Sequence, residues 1–338
     1  MLTLTDFSLL IVSPGKDMDR LRVAYSTMRD LYPDNEIVIV YDNNQTASLG
    51  VIDVNLKEIN TDRRVYVSGG YNLALQHATR KCFVFLHDDT FPAENFLENI
   101  IPHVTETQFC NFTTVEPPLY GDPDTLVKPI KDFGRTTQQF SWKAFNDYTQ
   151  NHINNLVDTT TPSPFGGFFM AGFVESMRKV GNFDETFQPY FYEDADLMIR
   201  MHAAGYTFVQ SLNSIVYHMG SLTSRSGAES NIAMQTTHNI FLSKWKCPWD
   251  YIRKYTLEHG VEYKPTSFTI ESVNCSTDLQ NYFSLISDIN TNIRIMVDGH
   301  RLTQNDFEYL QTLPYLLSSL EDAGTYEVGN LTIHYNKD

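Results

Sequence analysis

Three short, mostly apolar runs, each ending in a polar cluster, constrain this chain more than any other feature. Phe7 to Val12 breaks at Ser13-Pro14-Gly15, Glu36 to Tyr41 (EIVIVY) ends at Asp42-Asn43-Asn44, and Cys82 to Leu86 (CFVFL) ends at His87-Asp88-Asp89. Runs so short and apolar, bounded by turn residues, read as strands buried on both faces. Helical stretches lie between them, from about Asp17 to Leu31, stopped by Pro33, and from Asn72 to Arg80. Alternating strands and helices predict an α/β fold with a doubly wound, mostly parallel sheet. Ligands of such sheets sit beyond the carboxyl ends of the strands, where these polar clusters converge by topology alone.

Downstream, prolines 117, 118, 123, 129, 162 and 164 bracket a polar insertion, 117–164, with one helix expected from Trp142 to Val157. It reads equally as a lid or acceptor loop and as a plain surface excursion. An apolar, glycine-rich stretch (FGGFFMAG, 165–172) follows, then a helix near Val174 to Val180. The segment FYEDADLMIRMHAAGY then places Leu197, Met201 and Ala204 on one helical face. Thr207 to Tyr217 reads as a strand closing at His218. Residues 1–245 are expected to form the main domain and 246–338 an accessory region. Beyond about residue 260 that region reads as a small α/β appendage, with strands at 293–297 and 331–335 and a helix near 305–321.

Charge narrows the function. Lys and Arg number 25 against 41 Asp and Glu, a formal net charge of −16. Such a surface repels nucleic acid and anionic membrane, so a polyphosphate ligand needs a metal or backbone donors. Cys82, Cys110, Cys247 and Cys275 lack metal-site spacing and read as reduced, buried thiols. The N-terminus lacks the features of a signal peptide, and its apolar run is too short to span a bilayer, so a cytoplasmic protein without an integral membrane segment is expected.

The candidate chemistry lies in Asp42, Asp88-Asp89, Glu193-Asp194 and His218. Adjacent carboxylates repel unless a cation or donors offset them, and Mg²⁺ or Mn²⁺ does so while bridging diphosphate oxygens. The plainer alternative is a solvated turn, or a helix start at Thr90 and Pro92. His218 at a strand end suits a Mn²⁺ ligand, although a lone histidine is more often a satisfied polar group. Glu193-Asp194 opens a helix whose dipole favours an ionised carboxylate able to accept a proton, and simple capping by Asp194 is compatible with that.

In order along residues 7 to 245, IVIVYDNN, SGGYNLAL, VFLHDDTF, GNFDETFQPYFYEDADLMIRMHAAGY and VYHMGS resemble the inverting, GT-A-fold glycosyltransferases of family 2. The resemblance implies a Rossmann-like nucleotide-binding half and a nucleotide-diphosphate sugar donor of UDP or GDP type. It implies that Ser13 and Asp42 meet the nucleotide, Asp42 at the base, and that Gly69, Gly70 and Asn72 form a turn along it. Asp88 matches the ribose contact, and Asp89 the metal ligand ending the DXD signature. His218 completes the metal shell, Asp194 within the Glu193-Asp194 pair is the general base, and Gly172 lies in a turn near donor sugar and acceptor. Two positions depart from the family pattern. His87 stands where the signature opens with Asp, and Tyr71 where an Arg often precedes the asparagine, so Arg225 is the candidate replacement for that phosphate contact.

Two other functions remain open at this stage. A sugar-phosphate nucleotidyltransferase also uses such a sheet and a metal, but needs a fuller glycine-rich basic loop than SPGKDMDR. A non-catalytic nucleotide-sugar binding module has no need of Glu193-Asp194.

Overall fold

A computed structural model of the chain describes residues 2–119, 121–163, 168–220, 228–245, 249, 252–253, 268–273, 293–298, 324–328 and 331–336. Two compact units divide it, Met1–Thr237 and His238–Asp338.

In chain order the elements are β1 (Phe7–Ser13), α1 (Met18–Leu31), β2 (Glu36–Tyr41), β3 (Leu56–Asn60), α2 (Tyr66–His77), β4 (Cys82–His87), β5 (Thr90–Pro92), α3 (Phe96–Ile100) and β6 (Gln108–Val115). There follow α4 (Trp142–Asn154), β7 (Thr160–Pro162), β8 (Met170–Phe173), α5 (Val174–Lys179), α6 (Glu193–Ala203), β9 (Thr207–His218) and α7 (Ala228–Trp245). The second unit contributes β10 (Phe268–Val273), β11 (Ile293–Asp298), β12 (Gly324–Val328) and β13 (Leu331–Asn336).

The large sheet runs β3-β2-β1-β4-β8-β6-β9-β5, with β7 on β9. Its first half is parallel: β1 pairs β2 and β4, and β2 pairs β3. β8 lies antiparallel between β4 and β6, and the parallel pairing resumes from β6 to β9. Leu9, Leu10, Ile37, Val38, Val84 and Phe85 are fully buried, so both faces of this sheet are covered, as the continuous apolar runs require. α1 shows how a covering helix is specified. Asp17 accepts the Arg20 amide at 3.0 Å, and Leu21, Ala24, Tyr25 and Met28 recur with helical period on its buried face.

The expected elements up to β4 are found, except that α2 covers 66–77 rather than 72–80. Its start is signalled from outside its own sequence: the Asp42 carboxylate at the end of β2 accepts the Val65 and Tyr66 amides at 2.6 and 3.3 Å. Gly69 and Gly70 therefore lie inside a helix, not in a turn. A Cβ on Gly70 would meet Val12 at 2.6 Å, so glycine there lets α2 press onto β1. Gly172, likewise, sits in β8 opposite Phe83, not in a turn, and a Cβ there would run into the Phe109 ring. Thr90–Pro92 forms an edge strand on β9 and starts no helix. Ala204 ends α6 exposed, outside the buried face of Leu197 and Met201. Strands β11 and β13 occur where expected and pair in parallel. The helix expected near 305–321 lies outside the described residues. Among the described residues, no helix is long and apolar enough to cross a membrane.

Candidate functional site

A cavity of about 490 Å³ opens beyond the ends of β1, β2, β4, β6 and β9, a volume suited to a small-molecule ligand. Asp42, Asp88, Asp89, Glu193, Asp194 and His218 all line it.

The two adjacent aspartates turn to different partners. Asp88 Oδ2 accepts the Ser13 hydroxyl at 2.6 Å, and Asp88 Oδ1 lies 3.4 Å from Arg20. Burial, then the neighbouring Asp89 charge, pushes the Asp88 carboxyl up to about 6 against the pull of Arg20 and Ser13. Asp89 faces His218, with Oδ1 3.3 Å from Nε2. Burial opposes its charge too, yet His218 outweighs that and holds the Asp89 carboxyl well below the usual range.

His218 Nδ1 meets Glu116 Oε1 at 2.7 Å. Burial would lower the imidazole pKa, but Asp89 and Glu116 on either side push it up to about 10. His87 stacks on His218 at 5.5 Å, and burial followed by the His218 charge lowers its pKa to about 4.

A divalent ion fits this donor set. Asp89 Oδ1 and His218 Nε2, a carboxylate oxygen and an imidazole nitrogen 3.3 Å apart on the cavity wall, are the donor types such an ion takes. The second ring nitrogen of His218 already has the carboxylate that metal-bound histidines use for orientation. Among the described residues, no group of three or more His, Cys, Asp and Glu side chains gathers as a metal site. The remaining ligands would be water and phosphate oxygens, the usual company of Mg²⁺ on one or two carboxylates.

On the same cavity, Phe191 and Tyr192 hold left-handed φ values of 81° and 65° immediately before α6. Such backbone costs on the order of 1–3 kcal/mol per residue and marks segments fixed for function. It aims Glu193 and Asp194 inward. Glu193 is buried and its Oε2 has no hydrogen-bond partner. Burial, then the Asp194 charge, raises its pKa to about 8, so the helix dipole does not keep this carboxyl ionised. Burial raises Asp194 as well, opposed by the Ala195 amide that it accepts at 2.8 Å. Tyr192, not Asp194, occupies the N-cap position. Burial thus raises both carboxyls, while the hydrogen bond from the Ala195 amide favours the ionised form of Asp194.

Other expected site residues are placed differently. Asn72 donates to Phe183 O and Glu185 Oε1 and accepts the Phe183 amide, so it staples α2 to the 183–185 loop away from the cavity. Gly69, Gly70 and Gly172 serve close packing and do not line the cavity. Arg225 lies outside the described residues. Sequence reasoning missed Arg20, Arg64, Glu116 and Lys128. Arg20 was legible as a cation in the first turn after β1; the other three depend on loop courses without a sequence signature.

Comparison with known proteins agrees with this architecture. Residues 18–177 match the family model described as Glycosyl transferase family 2. No curated protein matches the chain significantly. Among solved structures, the fold is similar to GalNAc-T7 crystallised with UDP, GalNAc and Mn²⁺, at 14% identity over 76% of this chain and 54% of that one, with a TM-score of 0.52. The chain thus spans about half the length of that GalNAc-T7 chain. It is also similar to S. aureus TarS 1–349, at 12% identity over 75% of this chain and 73% of that one, TM-score 0.45. For TarS 1–349 in complex with UDP the values are 11%, 76%, 75% and 0.45. At 14% identity the GalNAc-T7 match is a likeness of fold.

Proposed function

Through residues 18–177 this chain belongs to the family 2-like glycosyltransferases with a GT-A fold, and from that premise we propose that it moves a sugar from a nucleotide-diphosphate donor onto a hydroxyl acceptor with inversion. One observation carries the reading: the Asp89–His218 pair, 3.3 Å apart, faces the same cavity as Glu193 and Asp194.

Asp194 accepts the proton of the attacking acceptor hydroxyl, and the new bond forms opposite the departing diphosphate. Asp89 and His218 would hold Mn²⁺ or Mg²⁺, which would supply positive charge to the leaving diphosphate. GalNAc-T7, similar in fold, was crystallised with both UDP and Mn²⁺, which supports a metal and a uridine donor, with guanosine kept as the alternative. Asp42 and Asp88 border the nucleotide, with Ser13 acting through Asp88. Arg64 and Lys128, the lysine and arginine side chains lining the cavity among the described residues, offset part of the acidic field around a diphosphate.

We assign residues 1–245 to the transferase and 246–338 to an accessory role. Buried thiols at Cys82 and Cys110 suit a reducing, cytoplasmic setting. A thermal-shift panel of nucleoside diphosphates and nucleotide sugars, with and without Mn²⁺, tests the reading, since a ligand that binds the folded state raises Tm by mass action. One base should stand out and only with Mn²⁺; no metal-dependent shift for any nucleotide would overturn it.

A further inference from the structure

The insertion was expected to shape acceptor choice, but it also reaches the metal-ligand pair. Its segment 124–131 lies along the end of β6. Val127 O accepts the Thr114 amide at 3.2 Å, Pro129 O accepts the Glu116 amide at 3.0 Å, and the Lys131 amide returns to Glu116 O at 2.8 Å. Asp124 fixes the segment's shape by accepting from the Ile130 amide and Lys131 Nζ. This register sets Lys128 beside Glu116.

From there a line of alternating charges enters the site. Lys128 Nζ lies 2.6 Å from Asp122 and 3.0 Å from Glu116 Oε2. Glu116 Oε1 lies 2.7 Å from His218 Nδ1, and His218 Nε2 lies 3.3 Å from Asp89. The Glu116 side chain is 9% exposed and that of Lys128 29%, so the line runs inward from a half-buried cation.

We propose that Lys128 is a positioning residue for the Asp89–His218 metal-ligand pair, acting through Glu116, so that the insertion is part of the catalytic centre. This rests on the metal-dependent reading above. A histidine presents one ring nitrogen to a metal reliably only when an acceptor holds the other. Glu116 is that acceptor, and a carboxylate gripped at one oxygen alone can swing. Lys128 grips the second oxygen by a charge-assisted hydrogen bond and is itself held by Asp122, which fixes the carboxylate plane and with it the imidazole. Lys128 also offsets the crowding of Glu116 with Asp89 around one imidazole.

Mn²⁺ titration of the full chain, with free ion followed by electron paramagnetic resonance, tests this without turnover. Lys128→Met should weaken Mn²⁺ binding several-fold, up to the roughly tenfold expected for losing Glu116, the outer-shell partner itself. Lys128→Arg should recover most of it. The Lys128→Met/Glu116→Gln double variant should bind no worse than Glu116→Gln alone, because the effect passes through Glu116. Additive losses in the double variant, or Lys128→Met affinity within roughly twofold of wild type, would overturn the relay while leaving the metal reading intact. Wild-type protein that binds no Mn²⁺ would instead sink the metal reading and the relay with it. Lys128→Gln carries the same comparison if the Met variant fails to fold.

Discussion

The Ser13 hydroxyl donates a 2.6 Å hydrogen bond to Asp88, a residue of the cavity wall, and so joins the carboxyl ends of β1 and β4. Both residues are buried. The bond, with Arg20 on the other oxygen, draws Asp88 away from the Asp89–His218 pair and lets two adjacent carboxylates coexist. Ser13→Ala leaves that carboxylate short of a donor in a buried site. The expected loss is about 2 kcal/mol of folding stability, read by urea denaturation, because hydrogen bonds to charged groups are the stronger ones.

The Asp89–His218 pair is expected to report itself through ligand-linked stability. Wild-type Tm should rise with Mn²⁺ plus the preferred nucleoside diphosphate, whereas Asp89→Asn and His218→Ala should lose the metal-dependent part of that rise. A full Mn²⁺-dependent shift in both variants would show that the metal is held elsewhere.

How much of this was legible beforehand follows from which contacts are local. β1, β2 and β4, and the polar residues at their ends, could be read because apolar runs and strand-end polarity are properties of consecutive residues. The same holds for α6 and for β9 ending at His218. The start of α2 could not, since the group that caps it, Asp42, is more than twenty residues upstream on another strand. Asn72 looked like part of a ligand-binding turn because its partners, Phe183 and Glu185, come from a distant loop. Glu116 and Lys128 carried no signal for the same reason: their meaning depends on where the insertion is laid against β6.

Glu36 gives a pH prediction for the fold itself. Its buried carboxylate accepts from Ser8, from the Thr79 amide and hydroxyl, and from Lys57. Burial opposes the charge, but these donors win and lower the pKa from 4.5 to about 2. A depressed carboxylate stabilises the folded state above its unfolded pKa and loses that contribution as pH falls through the folded one. Glu36→Gln should therefore be less stable at neutral pH by up to about 3 kcal/mol, with the gap to wild type closing between roughly pH 5 and 2. Parallel stability curves for the two proteins over that range would contradict it.

Gly70 tests the close packing of α2 on β1. A methyl group there meets the Val12 side chain at 2.6 Å, and Val12, half-buried at the cavity wall, is held in place by the strand that carries it. Gly70→Ala should cost about 1–3 kcal/mol by overpacking, although alanine is the better helix former. Val12→Ala in the same protein should recover part of it, which separates the clash from a general intolerance at this position.

Glu193 and Asp194 divide one task by their surroundings, and their variants should separate in the pH profile of transfer. Glu193 is buried with an unpartnered oxygen and retains its proton up to about pH 8, so at neutral pH it places no second charge beside Asp194. Above that pH it ionises and adds a negative charge to the cavity that takes the anionic donor, so kcat/KM should fall along an alkaline limb near pH 8. Glu193→Gln cannot ionise, so its alkaline limb should move to higher pH. Asp194→Asn instead removes the proton acceptor. It should lower kcat by roughly 10²–10⁴-fold at every pH while leaving Mn²⁺ and donor binding near wild type, because Asp194 is not one of the residues assigned to hold the metal. If Asp194→Asn turned over donor and acceptor at near-normal rate, the base would have to be sought elsewhere, and the strained turn at Phe191 and Tyr192 would need another explanation.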